Sequence, residues 1–269
     1  MPERISFQPP APVHRPGPVA VLVGVVRILL VLAVAAAGAL AVPLAALVPG
    51  RVRGVRPGLW VVVALARLFV GLFGIRLRGS APDALRRHEG LVFINHLSYL
   101  DPVVVEAVTP VRFLATAGVR RLPFIGWIAR SVGTVFVDRK DEESRAASRE
   151  ALIGALSERP CPPIVIAPEG QIGPGDRVLP FRHGALAVAQ DAGVAVLPVV
   201  LQFDPFDAAV WLPDEWILRA LWRLAARTTP FTATVTPLPL VTLGPEDDPA
   251  AVASALQSRF DAALGASNP

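Results

Sequence analysis

Leu91-Val92-Phe93-Ile94-Asn95-His96-Leu97-Ser98-Tyr99-Leu100-Asp101-Pro102 is the stretch on which the fold turns. Its first four residues form a continuous apolar run that, with Asn95, reads as a strand. A polar loop follows, and Pro102 opens a helical pattern, since proline suits a first helical turn. Strand, loop and helix in this order recur outward. Strands are expected over 91–95, 111–115, 134–138, 164–167, 196–201 and 231–240, and helices over 102–108, 119–131, 142–157, 182–191, 213–226 and 249–264. This alternation predicts an α/β domain with a mixed, largely parallel sheet and flanking helices. Sites in such sheets sit at the carboxyl ends of strands, so the loops after Asn95, Asp138 and Ala167 are the places to search.

The composition points beyond an ordinary globule. The chain has 269 residues, 53% hydrophobic and only 18% charged, against about 25% charged in typical soluble domains; its mean hydropathy is +0.51. Lys140 is the only lysine, and the net charge of +4 is carried by arginine, which suits phosphates and anionic membrane surfaces. The single cysteine, Cys161, excludes a disulfide framework and a cysteine-rich metal site. Much of the apolar excess lies in two runs, 19–48 with Arg27 inside and 59–75 with Arg67 inside, joined by the basic turn 49–58. Behind a flexible terminus, 1–17, these predict a membrane helical hairpin over 18–75, with residues 76–269 as the second domain. The uninterrupted piece 28–48 approaches the ~20 residues that cross a bilayer. Whether the hairpin spans or lies in one leaflet is open, because both arginines would be costly at mid-bilayer. A cleaved signal peptide ending near Ala39-Leu40-Ala41 is the rival reading, opposed by the long segment before residue 28 and by the second apolar run. Arginines outside the hairpin outnumber those in its turn, which puts the body of the protein on the cytoplasmic side.

Within the first loop, Asp101 can hold one ring nitrogen of His96 while the other faces a substrate hydroxyl as general base. The same spacing also reads as a capping box, with Ser98 and Asp101 starting a helix. The loop after Ala167 contains Pro168-Glu169-Gly170-Gln171, and Pro180-Phe181-Arg182-His183-Gly184 follows; its glycines and prolines suit either an anion site or a plain flexible turn. Arg139, after the 134–138 strand, and Arg182 are candidate phosphate anchors through their planar fork. A solvated charged loop is the alternative there. The helix 213–226 carries Trp216 and Trp222 among arginines, as a lipid-interface helix or an aromatic core helix would. The dispersed arginines give no nucleic-acid-binding motif.

Taken in order, Asn95-His96 with Asp101, then Leu122-Pro123-Phe124-Ile125-Gly126 with 133–139, then Pro168-Glu169-Gly170, then Leu197-Pro198-Val199, resemble the four motif blocks of the lysophosphatidic acid acyltransferase family. The resemblance covers residues 76–243, and Ala209-Val210-Trp211 with Asp214 is similar to the tail of bacterial members. It implies an α/β domain behind a helical membrane motif, and an enzyme that moves an acyl chain from acyl-CoA or acyl carrier protein to the hydroxyl of a lysophospholipid, first among them 1-acylglycerol 3-phosphate. It implies His96 as base, Asp101 as its orienting partner and Arg139 as phosphate ligand. Glu169 and Gly170 would shape the acceptor site, with Ser98, Gln171 and Arg182 as further acceptor-binding candidates. It implies no metal and no bound cofactor. Its partners are the bilayer, the lysolipid and the acyl carrier, not nucleic acid.

Two departures bear on the acceptor. Many relatives carry lysine and glutamate where this chain has Ala115-Thr116-Ala117-Gly118, and threonine, often with arginine, where Gln171 and Ile172 follow Gly170. Another lysolipid, such as an amino-acid lipid, is therefore an alternative acceptor. The same departures also fit a lipid-binding homologue without turnover, and a hydrolase that gives the acyl group to water needs no acceptor pocket at all.

Overall fold

The computed structural model describes residues 16–79, 82–138, 141–174, 177–211 and 215–265; the candidate Arg139, and with it Lys140, Asp176 and Asp214, lie outside the described residues. The chain opens with two apolar helices, α1 (Pro18–Leu47) and α2 (Pro57–Leu72). Next come β1 (Ile75–Arg78), α3 (Pro82–Arg87), β2 (Leu91–Ile94), α4 (Asp101–Val108), β3 (Arg112–Thr116), α5 (Ile125–Ser131) and β4 (Val135–Val137). After them follow α6 (Glu142–Glu158), β5 (Ile164–Ile166), α7 (Gly184–Asp191), β6 (Val196–Asp204), α8 (Ile217–Ala225), β7 (Phe231–Pro237) and α9 (Pro249–Gly265).

The seven strands form one sheet in the order β1-β7-β6-β2-β5-β3-β4. All neighbours run parallel except β6 and β7, so the sheet is mixed and largely parallel, as expected. β2 lies at its centre and all four of its residues are buried. Val92 and Ile94 join the core under α2, α4 and α8, whereas Leu91 and Phe93 join that under α6, α7 and α9. Burial on both faces explains why this strand reads as an unbroken apolar run.

Two elements and one break escaped the sequence pattern. β1 is hidden at the end of the second apolar run, and α3 is a short helix ahead of β2. The expected helix over 119–131 is a 3₁₀ turn, Val119–Arg121, followed by α5. Pro123 causes the break, because it disfavours helical backbone at the residue before it, and Leu122 is extended at φ −68°, ψ 131°.

The hairpin packs on the α/β domain along its length. A Cβ on Gly24 would sit 3.1 Å from the Trp222 ring of α8, and one on Gly38 would sit 2.6 Å from Leu65 Cδ1 and 3.4 Å from Ile128 Cδ1 of α5. Small residues thus let α1 approach both partners closely. The two arginines inside the apolar runs turn inward. Arg27 Nη1 donates to Ala225 O at 3.1 Å and to Arg227 O at 2.5 Å, and its guanidinium lies 5.7 Å from the Phe73 ring centre. Arg67 Nε donates to Ala107 O at 2.9 Å. Each places a cation at the carbonyl end of a domain helix, α8 or α4, where helix polarity favours it.

β2 is extended by a side chain. Asn95 Nδ2 donates to Leu201 O at 2.9 Å and Asn95 Oδ1 accepts from Leu201 N at 2.7 Å, so the amide continues the β2–β6 pairing by one step. Asn95 and Leu201 are fully buried. Asn95→Ala leaves both backbone groups unpaired, and unfolding by denaturant in detergent is expected to show a loss of about 2–4 kcal/mol. An unchanged midpoint would mean that the amide is not what holds this end of β2.

Candidate functional site

The site is built where β2 and β5 end. His96 is the second residue after β2, and Asp101 is the first residue of α4. His96 Nδ1 lies 2.8 Å from Asp101 Oδ2, which also accepts Leu97 N at 2.8 Å and Ser98 N at 2.9 Å. The carboxyl group is fully buried and the imidazole is 28% exposed. The general-base geometry is thus present, whereas the capping box is not: α4 has Leu100 at its N-cap without a side-chain hydrogen bond, and Asp101 Oδ2 bonds amides of the loop ahead of the helix. An oxygen already accepting two N–H groups takes the ring's Nδ1–H as a third, and the neutral ring then keeps its acceptor lone pair on Nε2.

Glu169 grips the loop from the other side. Its Oε1 accepts from His96 N at 2.7 Å and its Oε2 from Leu179 N at 2.8 Å. Gly173 N donates to His96 O at 2.7 Å, and a Cβ on Gly173 would stand 2.5 Å from Glu169 Oε2, so only glycine lets this backbone close over the carboxyl group. Burial pushes Glu169 up to about 7, against the opposing effect of the N–H bonds from Leu179 and His96 and of the His96 charge.

Of the other candidates, Gly170, Gln171 and Arg182 sit together. Gly170 has φ +72°, and the Arg182 guanidinium packs over it, with Nε 3.0 Å from where a Cβ would be. Beside them Glu169, Gln171, Pro180, Phe181, Arg182 and His183 line an open cleft of about 570 Å³. His96 does not line this cleft; the buried Glu169 carboxyl stands between them. Ser98 is fully buried, donates to Ala209 O at 2.5 Å and accepts from Leu100 N at 3.1 Å, so its hydroxyl fixes the loop rather than facing the cleft. Sequence reasoning gave no role to the Asn95 amide or the Gly173 amide, because their partners lie 106 and 77 residues away. Among the described residues, no three His, Cys, Asp or Glu side chains are grouped as a metal ion would need.

Residues 76–202 match the family model described as Acyltransferase. A lyso-ornithine lipid O-acyltransferase of Pseudomonas aeruginosa is 34% identical over 165 residues, 60% of this chain and 61% of that protein. A 1-acyl-sn-glycerol-3-phosphate acyltransferase of Neisseria gonorrhoeae is 28% identical over 174 residues, 61% of this chain and 66% of that one. The crystal structure of a 1-acyl-sn-glycerophosphate acyltransferase from Thermotoga maritima superposes with a TM-score of 0.61 at 18% identity, over 77% of this chain and 78% of that one, and so shares the fold. Over residues 76–202 the chain is thus similar to the acyltransferase family. The matches span about two thirds or less of the lengths of these two relatives.

The raised Glu169 has a consequence for stability. A carboxyl group at about 7 in the folded protein keeps a proton that the unfolded chain releases near 4.5, so stability falls as pH rises through that window and levels off above it. Glu106, fully buried in α4, is raised by desolvation and adds a component of the same sign. Glu169→Gln is expected to flatten the Glu169 part of this slope while weakening the clasp, read as unfolding midpoints at pH 5, 6, 7 and 8. A variant with the parent's full slope would show that Glu169 does not titrate there.

Proposed function

We propose that the protein is a membrane-associated O-acyltransferase that moves an acyl chain from a thioester donor, acyl-CoA or acyl-ACP, to the free hydroxyl of a lysolipid. The observation that carries this reading is the His96–Asp101 contact at 2.8 Å, with the ring partly exposed at the end of a buried strand. In the proposed reaction, Nε2 of His96 takes the acceptor's hydroxyl proton as that oxygen attacks the thioester carbonyl. The tetrahedral intermediate then collapses, the carbon–sulfur bond breaks, and the thiolate leaves with the proton from the imidazolium. Asp101 keeps the ring in the tautomer this requires and stabilises its cationic form. Glu169 acts by positioning the His96 backbone. The cleft beside it takes the acceptor's head group, with Arg182 and Gln171 as its polar contacts, Gly170 giving room and Arg139 as a further anchor.

The acceptor of first choice is 1-acylglycerol 3-phosphate. Thr116 and Gly118, where relatives carry charged residues, favour an amino-acid lysolipid as the second reading, and a relative named as a lyso-ornithine lipid O-acyltransferase supports it.

For the membrane, we propose that the hairpin lies in one leaflet. α1 is long and apolar enough to cross a bilayer, and α2, at 16 residues, is shorter. Yet α1 touches α8 at Gly24 and α5 at Gly38, contacts about 21 Å apart along its axis, so a crossing α1 would carry the domain into the membrane with it. Its opposite face exposes Leu22, Leu29, Leu40, Leu44 and Leu47; Trp127 of α5, Trp216 just before α8 and Leu218 of α8 are exposed as well. These form the lipid-facing surface, and the active site faces the cytoplasm, where thioester donors are made.

Purified protein in detergent, supplied with labelled acyl-CoA and a panel of lysolipids, tests the chemistry and the acceptor together. His96→Ala is expected to lower transfer by about 10³-fold or more and Asp101→Asn by about 10²–10⁴-fold. Transfer by His96→Ala at the parent's rate would sink the mechanism, and release of free fatty acid without acceptor would make it a hydrolase. Ser98→Ala should lower thermal stability while leaving the KM for the acceptor unchanged.

A further inference from the structure

A second cavity, about 200 Å³, lies where the hairpin turn meets the domain, lined by Arg51, Arg56, Arg112 and Arg159 with Ala46 and Cys161 among others. It is at the opposite edge of the sheet from His96. Arg112 begins β3 and pairs with Ile164 at the start of β5, whereas His96 and Glu169 follow the far ends of β2 and β5. Three strand residues separate the two edges by about 10 Å.

The four guanidiniums are not equivalent. Arg112 is spent on structure: Nε donates to Pro162 O at 2.9 Å, Nη1 to Ala155 O at 3.3 Å and Nη2 to Arg159 O at 2.6 Å. Arg51 Nη1 donates to Gly54 O at 3.0 Å within the turn. Arg56 and Arg159 are exposed, and among the described residues their side chains have no hydrogen bond or ion pair. None of the residues lining the cavity is acidic, and Glu89 acts on its neighbourhood through Cys161. Four guanidiniums and no carboxylate in the lining leave the cavity positive, and forked donors from two separate segments suit the oxygens of a phosphate group. At the rim, α1 ends in the exposed Leu44, Leu47 and Val48, with Val52 in the turn beyond. If α1 lies in a leaflet, this is the level of the head groups.

We propose that this cavity is a second binding site, for the phosphate of an anionic phospholipid head group, held between Arg56 of the hairpin turn and Arg159 at the end of α6. Such a lipid bridges the turn and the domain without entering the acyl-transfer site. This rests on the membrane reading of α1, not on the acyl-transfer chemistry.

The test is flotation of the full-length protein with vesicles of phosphatidylcholine alone or with one third phosphatidylglycerol, beside thermal melts with glycerol 3-phosphate. The parent is expected to prefer the anionic vesicles by about 20-fold or more, since each arginine near an anionic surface gives roughly fivefold. Arg56→Gln with Arg159→Gln is expected to cut that preference about 10-fold and leave binding to neutral vesicles unchanged. Arg53→Gln with Arg130→Gln removes the same charge from exposed positions outside the cavity and is expected to cut it at least threefold less. Arg56→Lys with Arg159→Lys guards against misfolding: it keeps the charge, removes the fork and should lose part of the preference. Equal losses from the two glutamine pairs would mean diffuse attraction and overturn the site. So would a parent that binds neutral vesicles with no anionic preference, or saturable stabilisation by glycerol 3-phosphate without a vesicle preference. A parent that binds neither vesicle overturns the membrane reading and this proposal with it.

Discussion

The loop after β2 has to present a histidine at the end of a buried parallel strand, where the sheet no longer satisfies the backbone. Its N–H groups are taken instead by two buried carboxyl groups, His96 N by Glu169 and Leu97 N and Ser98 N by Asp101, while His96 O accepts from Gly173. Buried backbone groups left without partners cost about 1–3 kcal/mol each, so these acids are structural before they are anything else. The atom that holds the His96 ring, Asp101 Oδ2, also bonds two of the loop's backbone amides. Asp101 Oδ1 is buried with no hydrogen-bond partner; it leaves the whole hydrogen-bonding load on one oxygen.

Glu169 and Asp101 also divide the labour around His96. Asp101 acts on the ring, and Glu169 acts on the backbone that carries the ring. Loss of the second would not change the tautomer but would free the loop, and general-base chemistry is sensitive to displacements of a fraction of an ångström. A glutamate whose oxygens accept from two backbone amides is therefore better described as a clasp than as a substrate ligand, and the exposed polar side chains of the cleft are its neighbours Gln171, Arg182 and His183.

How much of this was legible in the sequence follows from the range of the interactions. The central strand, the helix after it and the His96–Asp101 pair were readable because they depend on apolar runs, Pro102 and a spacing of five residues. The order of the motif blocks carried the family resemblance. The broken helix at Pro123 was readable in principle from the proline, but the apolar pattern across 119–131 concealed it. What could not be read were contacts between segments far apart: Asn95 with Leu201, Ser98 with Ala209, Glu169 clasping His96. The inward turn of Arg27 and Arg67 was equally hidden. In an apolar run an arginine looks like a cost to be met by lipid, and only the fold reveals helix-end carbonyls within its reach.

Arg27 ties the apolar hairpin to the helix that also holds the His96 loop. α8 receives Arg27 of α1 at Ala225 O and Tyr99 of the His96 loop at Ala220 O, 3.1 Å from the Tyr99 hydroxyl. Trp211, just ahead of α8, meets the Tyr99 ring edge-on at 5.8 Å, and Arg223 of α8 donates to Val210 O at 2.5 Å. One nine-residue helix is thus bonded to the apolar hairpin on one side and to the loop bearing His96 on the other. Burial pushes the Tyr99 phenol up, so it stays neutral and keeps donating across any pH at which a thioester survives. In the proposed leaflet placement of α1, α8 would set the height of His96 above it. Under the proposed function, an acceptor whose acyl chain stays in the bilayer would then have its hydroxyl presented at the level of His96.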